Sequence, residues 1–458
     1  MVSLGCPKNL VDSEGALGEI AGAGHEIVTD ASRADVIVVN TCGFIENARQ
    51  ESIEAVCEAL EYKQKGSCRA VVVIGCLSQR FPLLVGAGFE IPPQQGVVDA
   101  FLGIGHAGKL GDAIDRALEG KRTHDAACPT EQWIEPGARV QSTPPWTAYL
   151  KVSDGCSNRC AYCAIPDIRG PYRSRPEGLI LDEAKRLADA GVKEIILIGQ
   201  DLTQYGEDFT RHPELNSGPR RSLAGLIEKL NEIESLRWIR LMYCYPTKVT
   251  PELIDVIAGC ERVVKYLDLP LQHGDDAVLK VMNRRGSASY YIRVIDDLRA
   301  KCPEIALRST FIVGFPGETD AAFENLMSFV ERIRFDRVGV FTYSCEQGTP
   351  AAQMLGRDLE SRPVKKRVAA ARYDRLMRLQ QGISLERNRS FVGKKMEVLV
   401  EGATETGIFG RSYRDAPEID GLVYLPSSAA EPGSFVEATI AEATEYDLVG
   451  TLERRNDK

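Results

Sequence analysis

Three cysteines lie close together in the middle of the chain, as Cys156, Cys160 and Cys163. They follow the alternating stretch 149–152, which we predict to be a strand. Their C-x-x-x-C-x-x-C spacing can present three thiolates to one iron–sulfur cube and leave the fourth iron open to a small molecule. The alternatives are a structural zinc ion, which normally takes four protein ligands, and three buried cysteines in a loop. The spacing favours the iron–sulfur cluster over both.

An aromatic residue, Tyr162, stands directly before the last of these cysteines. The pattern C-x-x-x-C-x-aromatic-C resembles that of the radical S-adenosylmethionine (SAM) superfamily, which implies a [4Fe–4S] cluster whose open iron binds SAM. Gln200, Gln272 and Gly314 are further candidates for SAM binding because they follow predicted strands, where a (β/α) barrel keeps its reaction site. Gly314 could let the backbone lie against an adenine, although a plain tight turn explains it equally well. His273 is a candidate general acid or base.

Three more cysteines each follow a predicted strand near the N-terminus, namely Cys6, Cys42 and Cys76. Parallel strands bring their carboxyl ends to one edge of a sheet, so these thiols can converge although they are far apart in sequence. The adjacent glycines would let the backbone approach a cluster closely. By themselves the three cysteines fit a metal site and ordinary buried positions equally well, because buried cysteines are common.

The composition predicts a cytoplasmic protein with more than one domain, since 458 residues exceed one ordinary domain. No apolar stretch is long enough to span a bilayer, and the first residues lack the basic and apolar parts of a signal peptide. In a reducing compartment, thirteen cysteines favour metal binding over disulfides. The net charge of −9 disfavours a nucleic-acid partner, because phosphate contacts require clustered lysine and arginine.

The order of apolar runs predicts an α/β fold that begins with a parallel sheet in residues 1–132. Continuous apolar runs at 36–40 and 70–74 are typical of strands covered on both faces. We predict one helix that Ser13 caps and a second helix over 46–63. The linker that closes this domain contains prolines at 136, 144 and 145.

Residues 146–390 contain six predicted strands that alternate with helices, as parallel strands with right-handed crossovers do. Six units are two short of a closed eightfold barrel, so we predict a partial (β/α)6 barrel. The predicted strands end near residues 152, 198, 242, 268, 313 and 343.

The last part of the chain differs in pattern and in charge. Short apolar runs at 396–400, 422–425 and 435–440 predict a small all-β barrel in residues 391–458. Seven Lys or Arg stand against thirteen Asp or Glu in this segment, which gives a net charge of −6. The helix predicted over 362–389 has nine basic and two acidic residues, hence +7, and a solvated connecting helix is favoured over a binding face.

Together, the N-terminal cysteines, the radical SAM motif and the terminal β-barrel resemble the methylthiotransferase family over essentially the whole chain. The resemblance implies that Cys6, Cys42 and Cys76 hold an auxiliary [4Fe–4S] cluster, that the central triad holds the SAM cluster, and that the last domain is a TRAM domain. SAM and two [4Fe–4S] clusters are then the cofactors, and an external electron donor is a required partner. The implied reaction uses a 5′-deoxyadenosyl radical to remove hydrogen from an unactivated carbon, which then receives a methylthio group; no ordinary acid or base can do this.

Segments 5–14, 270–273 and 411–421 resemble the branch of this family that modifies a ribosomal protein. That branch methylthiolates the β-carbon of an aspartate in the twelfth small-subunit protein, either free or in the ribosome. The acidic last domain suits a basic protein substrate, and we expect it to be recognised by Asp415, Glu418 and Asp420. One alternative is a tRNA methylthiotransferase, which would need a basic groove along the 362–389 helix. The other, an iron–sulfur electron carrier without enzymatic activity, would not cleave SAM.

Overall fold

The computed structural model describes residues 1–81, 97–106, 108–126, 133, 135, 137–211, 222–355, 362–426 and 430–452. These residues form an α/β structure with two parallel sheets and a closed β-barrel, which confirms the predicted fold class. The expected end of the first domain at residue 132 and the linker proline at 136 lie outside the described residues.

The first sheet contains five parallel strands in sequence order. They are β1 (Val2–Ser3), β2 (Val36–Thr41), β3 (Ala70–Gly75), β4 (Ala100–Leu102) and β5 (Thr123–Asp125). The helices of this part are α1 (Pro7–Gly22), α2 (Glu46–Gln64), α3 (Cys76–Arg80) and α4 (Leu110–Leu118). Alternate residues of β2 and β3 pack against α1 and α4 on one face and against α2 on the other. Burial on both faces explains the continuous apolar runs.

The prediction that Ser13 caps the first helix is wrong. α1 begins at Pro7, with Cys6 at the N-cap position, because proline suits the first turn of a helix. Ser13 lies inside the helix, where its hydroxyl donates to Ser3 Oγ at 2.7 Å and accepts from the Asn40 amide at 2.8 Å. This serine therefore connects α1 to β1 and β2.

The central part contains the strands β6 (Thr147–Lys151), β7 (Ser153–Asp154), β8 (Arg173–Ser174), β9 (Glu194–Ile198), β10 (Trp238–Leu241), β11 (Val263–Asp268), β12 (Ala306–Val313) and β13 (Arg337–Thr342). Six of them form a parallel sheet in the order β6-β9-β10-β11-β12-β13, while β7 and β8 pair as a separate antiparallel ribbon. The strands β6 and β13 are open edges, as the prediction of a partial barrel requires. All six strands end within one residue of the predicted positions.

The helices around this sheet are α5 (Ile165–Arg169), α6 (Glu177–Asp189), α7 (Leu223–Asn231), α8 (Pro251–Gly259), α9 (Asp276–Val281), α10 (Ala288–Lys301), α11 (Asp320–Ile333), α12 (Pro350–Met354) and α13 (Lys366–Arg389). Five of them begin at a serine or threonine whose hydroxyl accepts the backbone N–H three residues later, a stabilising N-cap: Ser222, Thr250, Ser287, Thr319 and Thr349. In the described part of the chain, no helix combines the length and the apolar character that crossing a membrane requires.

The C-terminal part is a closed barrel of β14 (Lys395–Thr404), β15 (Gly407–Ser412), β16 (Val423–Leu425), β17 (Phe435–Ala443) and β18 (Leu448–Leu452). Its interior is filled by apolar side chains, among them Met396, Val398, Val400, Ile408, Leu425 and Ile440. The strands β15 and β18 were not predicted, because their glycines and polar residues weaken a strand pattern. Gly410 of β15 is required by close packing, since a Cβ there would lie 2.1 Å from the backbone oxygen of Leu399.

Candidate active site

The central cysteines lie on the loop between β7 and α5, and each sulfur faces one N–H donor. The pairs are Cys156 with the side-chain amide of Asn158 (3.6 Å), Cys160 with the guanidinium of Arg284 (3.6 Å) and Cys163 with the backbone N–H of Ile165 (3.5 Å). Donors of this kind favour the thiolate, which is the form that binds iron. Burial raises the pKa of Cys156 to about 11 and also raises that of Cys163. These thiols therefore require a bound metal to remain ionised near neutral pH.

The structure places Cys6, Cys42 and Cys76 at the carboxyl edge of the first sheet. Cys6 caps α1, Cys42 follows β2 and Cys76 opens α3, and the charges of Cys6 and Cys42 both act on the ionisation of Cys76. Gly5 has a φ of +97°, and a Cβ at this position would lie 3.1 Å from the Cys42 sulfur. Only glycine therefore allows the segment that carries Cys6 to approach Cys42 so closely.

Ionisation differs among these three thiols. Burial raises the pKa of Cys76 to about 12 and raises that of Cys42. Burial also opposes ionisation of Cys6, but Lys8, Arg169 and the backbone N–H groups at the start of α1 outweigh it and lower its pKa. Cys6 is therefore the thiol of this group that ionises most readily.

Both cysteine triads consist of the ligand type that iron–sulfur clusters use. Among the described residues, no three His, Cys, Asp or Glu side chains meet closely enough to bind one metal ion. A [4Fe–4S] cluster does not require three side chains within bonding distance of one ion, because each cysteine thiolate binds a different iron. Donor type, sulfur-directed N–H groups and close backbone approach thus fit a [4Fe–4S] cluster at each triad.

The short helix α5 connects the two cysteine sites. Its first backbone N–H faces Cys163, and the Arg169 guanidinium at its other end donates to Cys76 Sγ at 3.7 Å. Ala164 and Ile168 also pack against Cys76. Since five residues of α-helix span roughly 7 Å, the radical SAM motif lies immediately beside the N-terminal cysteines.

Arg169 belongs to a buried group of charges at this junction, in which Arg173 also lies 4.0 Å from Asp154. Its Nη1 donates to both oxygens of Asp154 at 3.1 and 3.2 Å, and its Nη2 donates to Asp12 at 2.8 Å. Lys151 forms ion pairs with the same two carboxylates. Burial opposes ionisation of Asp12, but Lys151 and Arg169 outweigh it and lower its pKa. Because Asp12 lies on α1 and the other members lie in the radical SAM region, this group joins the two parts of the protein.

Two of the four candidates for SAM binding lie in the cysteine-loop region. Tyr162 packs edge-on against Phe315, with ring centroids 6.5 Å apart. Both polar side-chain atoms of Gln200 are buried and have no hydrogen-bond partner among the described residues. The next residue, Asp201, accepts a hydrogen bond from Asn158 of the cysteine loop at 2.7 Å. Because buried amides are normally hydrogen-bonded, the free amide of Gln200 fits contact with a polar cofactor such as SAM.

The other two candidates, Gln272 and Gly314, are held by contacts within the protein. Gln272 has a φ of +75°, and its backbone N–H and C=O both bond to β12 at 2.8 Å. Gly314 has a φ of +74°, and a Cβ there would lie 2.5 Å from the Cβ of Ala369 on α13. The structure thus corrects the expectation that Gly314 offers open backbone to an adenine, because α13 fills the space beside its Cα.

The interpretation of His273 as a general acid or base is wrong. The side chain is fully buried, with Nε2 at 3.2 Å from Glu318 and Nδ1 accepting the backbone N–H of Asp275 at 3.0 Å. Glu318 accepts in addition from Arg372 at 3.0 Å. Both ring nitrogens are therefore engaged in holding the start of α9 against α11 and α13.

Two contacts between the N-terminal part and the barrel were not predicted. The Lys8 ammonium lies 3.2 Å from the ring centroid of Tyr243, just beyond β10. Arg80, the last residue of α3, donates to Glu346 at 3.0 Å and to the backbone oxygens of residues 43–44, directly after Cys42. Neither contact follows a sequence pattern, because each joins residues that are far apart in the chain.

The structure also corrects the expected roles of Asp415 and Asp420. Asp415 is only 1% exposed and accepts from Arg337 at 2.6 Å. The side chain of Asp420 is equally buried and accepts from the Tyr266 hydroxyl at 2.7 Å. Both carboxylates join the C-terminal barrel to the radical SAM part, so they cannot meet a substrate at the surface. Of the three predicted residues, only Glu418 is exposed.

Three of the seven basic residues of helix α13 form ion pairs with acidic residues of the described part of the chain, which supports its interpretation as a connecting helix. Its ion pairs are Arg372 with Glu318 and Asp320, Arg375 with Glu324, and Arg387 with Asp336.

Comparison with known proteins gives matches along the whole chain. Residues 1–101 match the uncharacterized protein family UPF0004, residues 150–330 the radical SAM superfamily and residues 392–452 the TRAM domain. The ribosomal protein uS12 methylthiotransferase RimO of Desulforamulus reducens is 44% identical over 460 residues, which cover 99% of this chain and 98% of the relative. The protein of the same name from Lachnoclostridium phytofermentans is 45% identical over 455 residues and 99% of both chains.

The chain belongs to the RimO family. As a member of this family it is a radical SAM methylthiotransferase, and the superfamily implies SAM and a [4Fe–4S] cluster. Among solved structures, the radical SAM methyltransferase TsrM from Kitasatospora setae covers 78% of this chain and is itself covered to 73%, with a TM-score of 0.54. Because the identity is only 15%, this match supports the fold alone.

Proposed function

We propose that this enzyme transfers a methylthio group to the β-carbon of an aspartate in ribosomal protein uS12, using two [4Fe–4S] clusters. Relatives that match almost the whole chain carry the name of uS12 methylthiotransferases. The observation that carries the proposal is α5, which has a SAM-motif thiol at one end and an N-terminal thiol at the other. A radical formed at one site and a sulfur group held at the other could therefore act on the same substrate carbon.

When bound, the clusters and SAM supply the radical that removes hydrogen and the methylthio group that replaces it. The protein contributes ligands, orientation and exclusion of water. Cys156, Cys160 and Cys163 would hold the SAM cluster, and Gln200 would offer its free amide to SAM. Cys6, Cys42 and Cys76 would hold the auxiliary cluster, with Arg169 beside Cys76.

The surface charge of the TRAM barrel favours a basic protein as the substrate. Although the side chains of Asp415 and Asp420 are buried, five glutamates in the described part of the C-terminal barrel are exposed: Glu405, Glu418, Glu431, Glu437 and Glu442. An acidic surface attracts a basic partner and repels the phosphates of tRNA. The reaction would take place in the cytoplasm, where ribosomes are present, and would need an external electron donor.

The test is to reconstitute the clusters anaerobically and to supply SAM, a reductant and unmodified small ribosomal subunits or tRNA in separate reactions. Mass spectrometry should find a methylthio group on an aspartate of uS12. A methylthio group on tRNA would contradict the proposed substrate but not the chemistry. If SAM is cleaved but neither uS12 nor tRNA receives a methylthio group, the radical SAM assignment stands and uS12 is rejected as the substrate.

A further inference from the structure

The side chain of Lys8 is a buried cation that no protein carboxylate neutralises. It is 7% exposed, and among the described residues its ammonium forms no hydrogen bond and no ion pair. The ammonium lies over the face of the Tyr243 ring, 3.2 Å from the centroid. Burying an ammonium without a carboxylate partner is costly. The negative charge that acts on it most strongly is the Cys6 thiolate, which would be a ligand of the auxiliary cluster, so a carboxylate for Lys8 would have to come from outside the chain.

The two carboxylates whose charges act on Lys8, Asp154 and Asp268, already have other partners. Asp154 accepts from Arg169 at 3.1 and 3.2 Å and also pairs with Lys151. Asp268 accepts from Arg308 at 3.1 Å and from the backbone N–H of Tyr243 at 3.0 Å. No carboxylate in the described part of the chain therefore pairs with the Lys8 ammonium, which can bind the carboxylate of a substrate.

Lys8 lies beside the N-terminal cysteine site, where it faces the carboxyl edge of the radical SAM sheet. It lies two residues after Cys6 in α1, and its ring partner Tyr243 follows β10 at the carboxyl edge of the barrel. The reacting carbon must come to the same region, because radical SAM barrels act at that edge. In the proposed substrate, a carboxylate is attached directly to this carbon.

We propose that the Lys8 ammonium binds the side-chain carboxylate of the substrate aspartate and so fixes its β-carbon between the two cysteine triads. This inference rests on the proposed function and names the residue that selects aspartate over neutral side chains. The Tyr243 ring supports the ammonium by a cation–π contact and shields it from water. A hydrogen bond between two charged groups, formed away from water, is stronger than a neutral one.

The test compares two peptides that carry the target loop of uS12, one with the aspartate and one with asparagine in its place. Binding to the holoenzyme is measured by fluorescence anisotropy for the wild type, for Lys8→Met and for the control Lys121→Met, which removes an exposed lysine paired with Glu119. Methionine has a similar length to lysine but no charge. The wild type and the control should bind the aspartate peptide about ten- to a hundredfold more tightly than the asparagine peptide. Lys8→Met should bind both peptides equally.

Several results would overturn the inference. One is equal binding of the two peptides by the wild type, a comparison that does not depend on any variant folding. Another is a preference for aspartate that persists in Lys8→Met. A third is loss of iron from Lys8→Met together with equal weakening of both peptides, which would assign Lys8 to the auxiliary cluster. If the wild type methylthiolates uS12 but does not distinguish the peptides, only this inference fails; if uS12 is not methylthiolated, the proposed function fails with it.

Discussion

Replacing Arg169 by methionine tests the link between the two cysteine sites. The guanidinium is 1% exposed and contacts Asp12, Asp154 and the Cys76 sulfur. In Arg169→Met, Asp12 and Asp154 would lose the guanidinium that they share and would keep Lys151, with Arg173 4.0 Å from Asp154. Breaking a buried ion pair in this way costs about 3–5 kcal/mol. The matched control is Arg375→Met, because Arg375 is half exposed and its pair with Glu324 contributes less than about 1 kcal/mol.

We also expect Arg169→Met to contain less of the auxiliary cluster than the wild type. Arg169 helps to lower the pKa of Cys6 and opposes the raised pKa of Cys76, so its loss should make both thiols harder to ionise and weaken the auxiliary cluster. Denaturant unfolding gives the change in stability, and iron analysis with electron paramagnetic resonance gives the cluster content. Methylthio transfer should fall far more than cleavage of SAM without substrate. If Arg169→Met resembles Arg375→Met in both measurements, the role assigned to this junction is refuted.

Three further predictions concern Cys6, Arg80 and Asp415. Cys6→Ala should still form 5′-deoxyadenosine but give no methylthio product by mass spectrometry, because only the auxiliary cluster loses a ligand; normal product would contradict that assignment. Arg80→Met should leave Glu346 buried without its cation and lower the free energy of unfolding by about 3 kcal/mol, measured by denaturant titration against Arg375→Met; an unchanged midpoint would refute this. Burial opposes ionisation of Asp415, but Arg337 and Arg414 outweigh it and lower its pKa below 3.8, so its stabilising effect is present above about pH 3.8 and is lost as the pH falls through the folded-state value. Asp415→Asn should therefore be less stable than the wild type at pH 7 and lose less stability below pH 4, and parallel pH curves would contradict the prediction.

The strands of the radical SAM sheet could be predicted from the sequence, because a strand that is buried on both faces has a continuous apolar run. The ends of β9, β11 and β12 coincide with the predicted positions. The same reasoning missed β15 and β18, in which glycines replace the apolar residues that mark a strand. It also misplaced the start of α1, since Ser13 has the residue type of a cap but bonds to neighbouring strands.

The cysteines of the candidate site could be predicted, because their spacing and their positions after strands are visible in the sequence. The three cysteines of the central motif are local, and each N-terminal cysteine follows a strand. Lys8, Arg80 and Arg169 could not be identified, because their roles depend on partners from other parts of the fold.

Burial of charged residues was likewise not predictable from the sequence. Asp415 and Asp420 are acidic residues in an acidic segment, which suggested a surface for a basic partner. Their partners Arg337 and Tyr266 lie in another domain, and no local pattern shows this pairing. The prediction for His273 was wrong for the same reason, since its partner Glu318 follows a different strand.

The most direct test of two cooperating cluster sites is to measure iron and acid-labile sulfide in three reconstituted proteins. They are the wild type, a variant with Cys6, Cys42 and Cys76 changed to alanine, and a variant with Cys156, Cys160 and Cys163 changed to alanine. Two [4Fe–4S] clusters predict about eight irons in the wild type and about four in each variant. An N-terminal variant that keeps all the iron of the wild type would contradict the auxiliary cluster and, with it, the proposed route of the methylthio group.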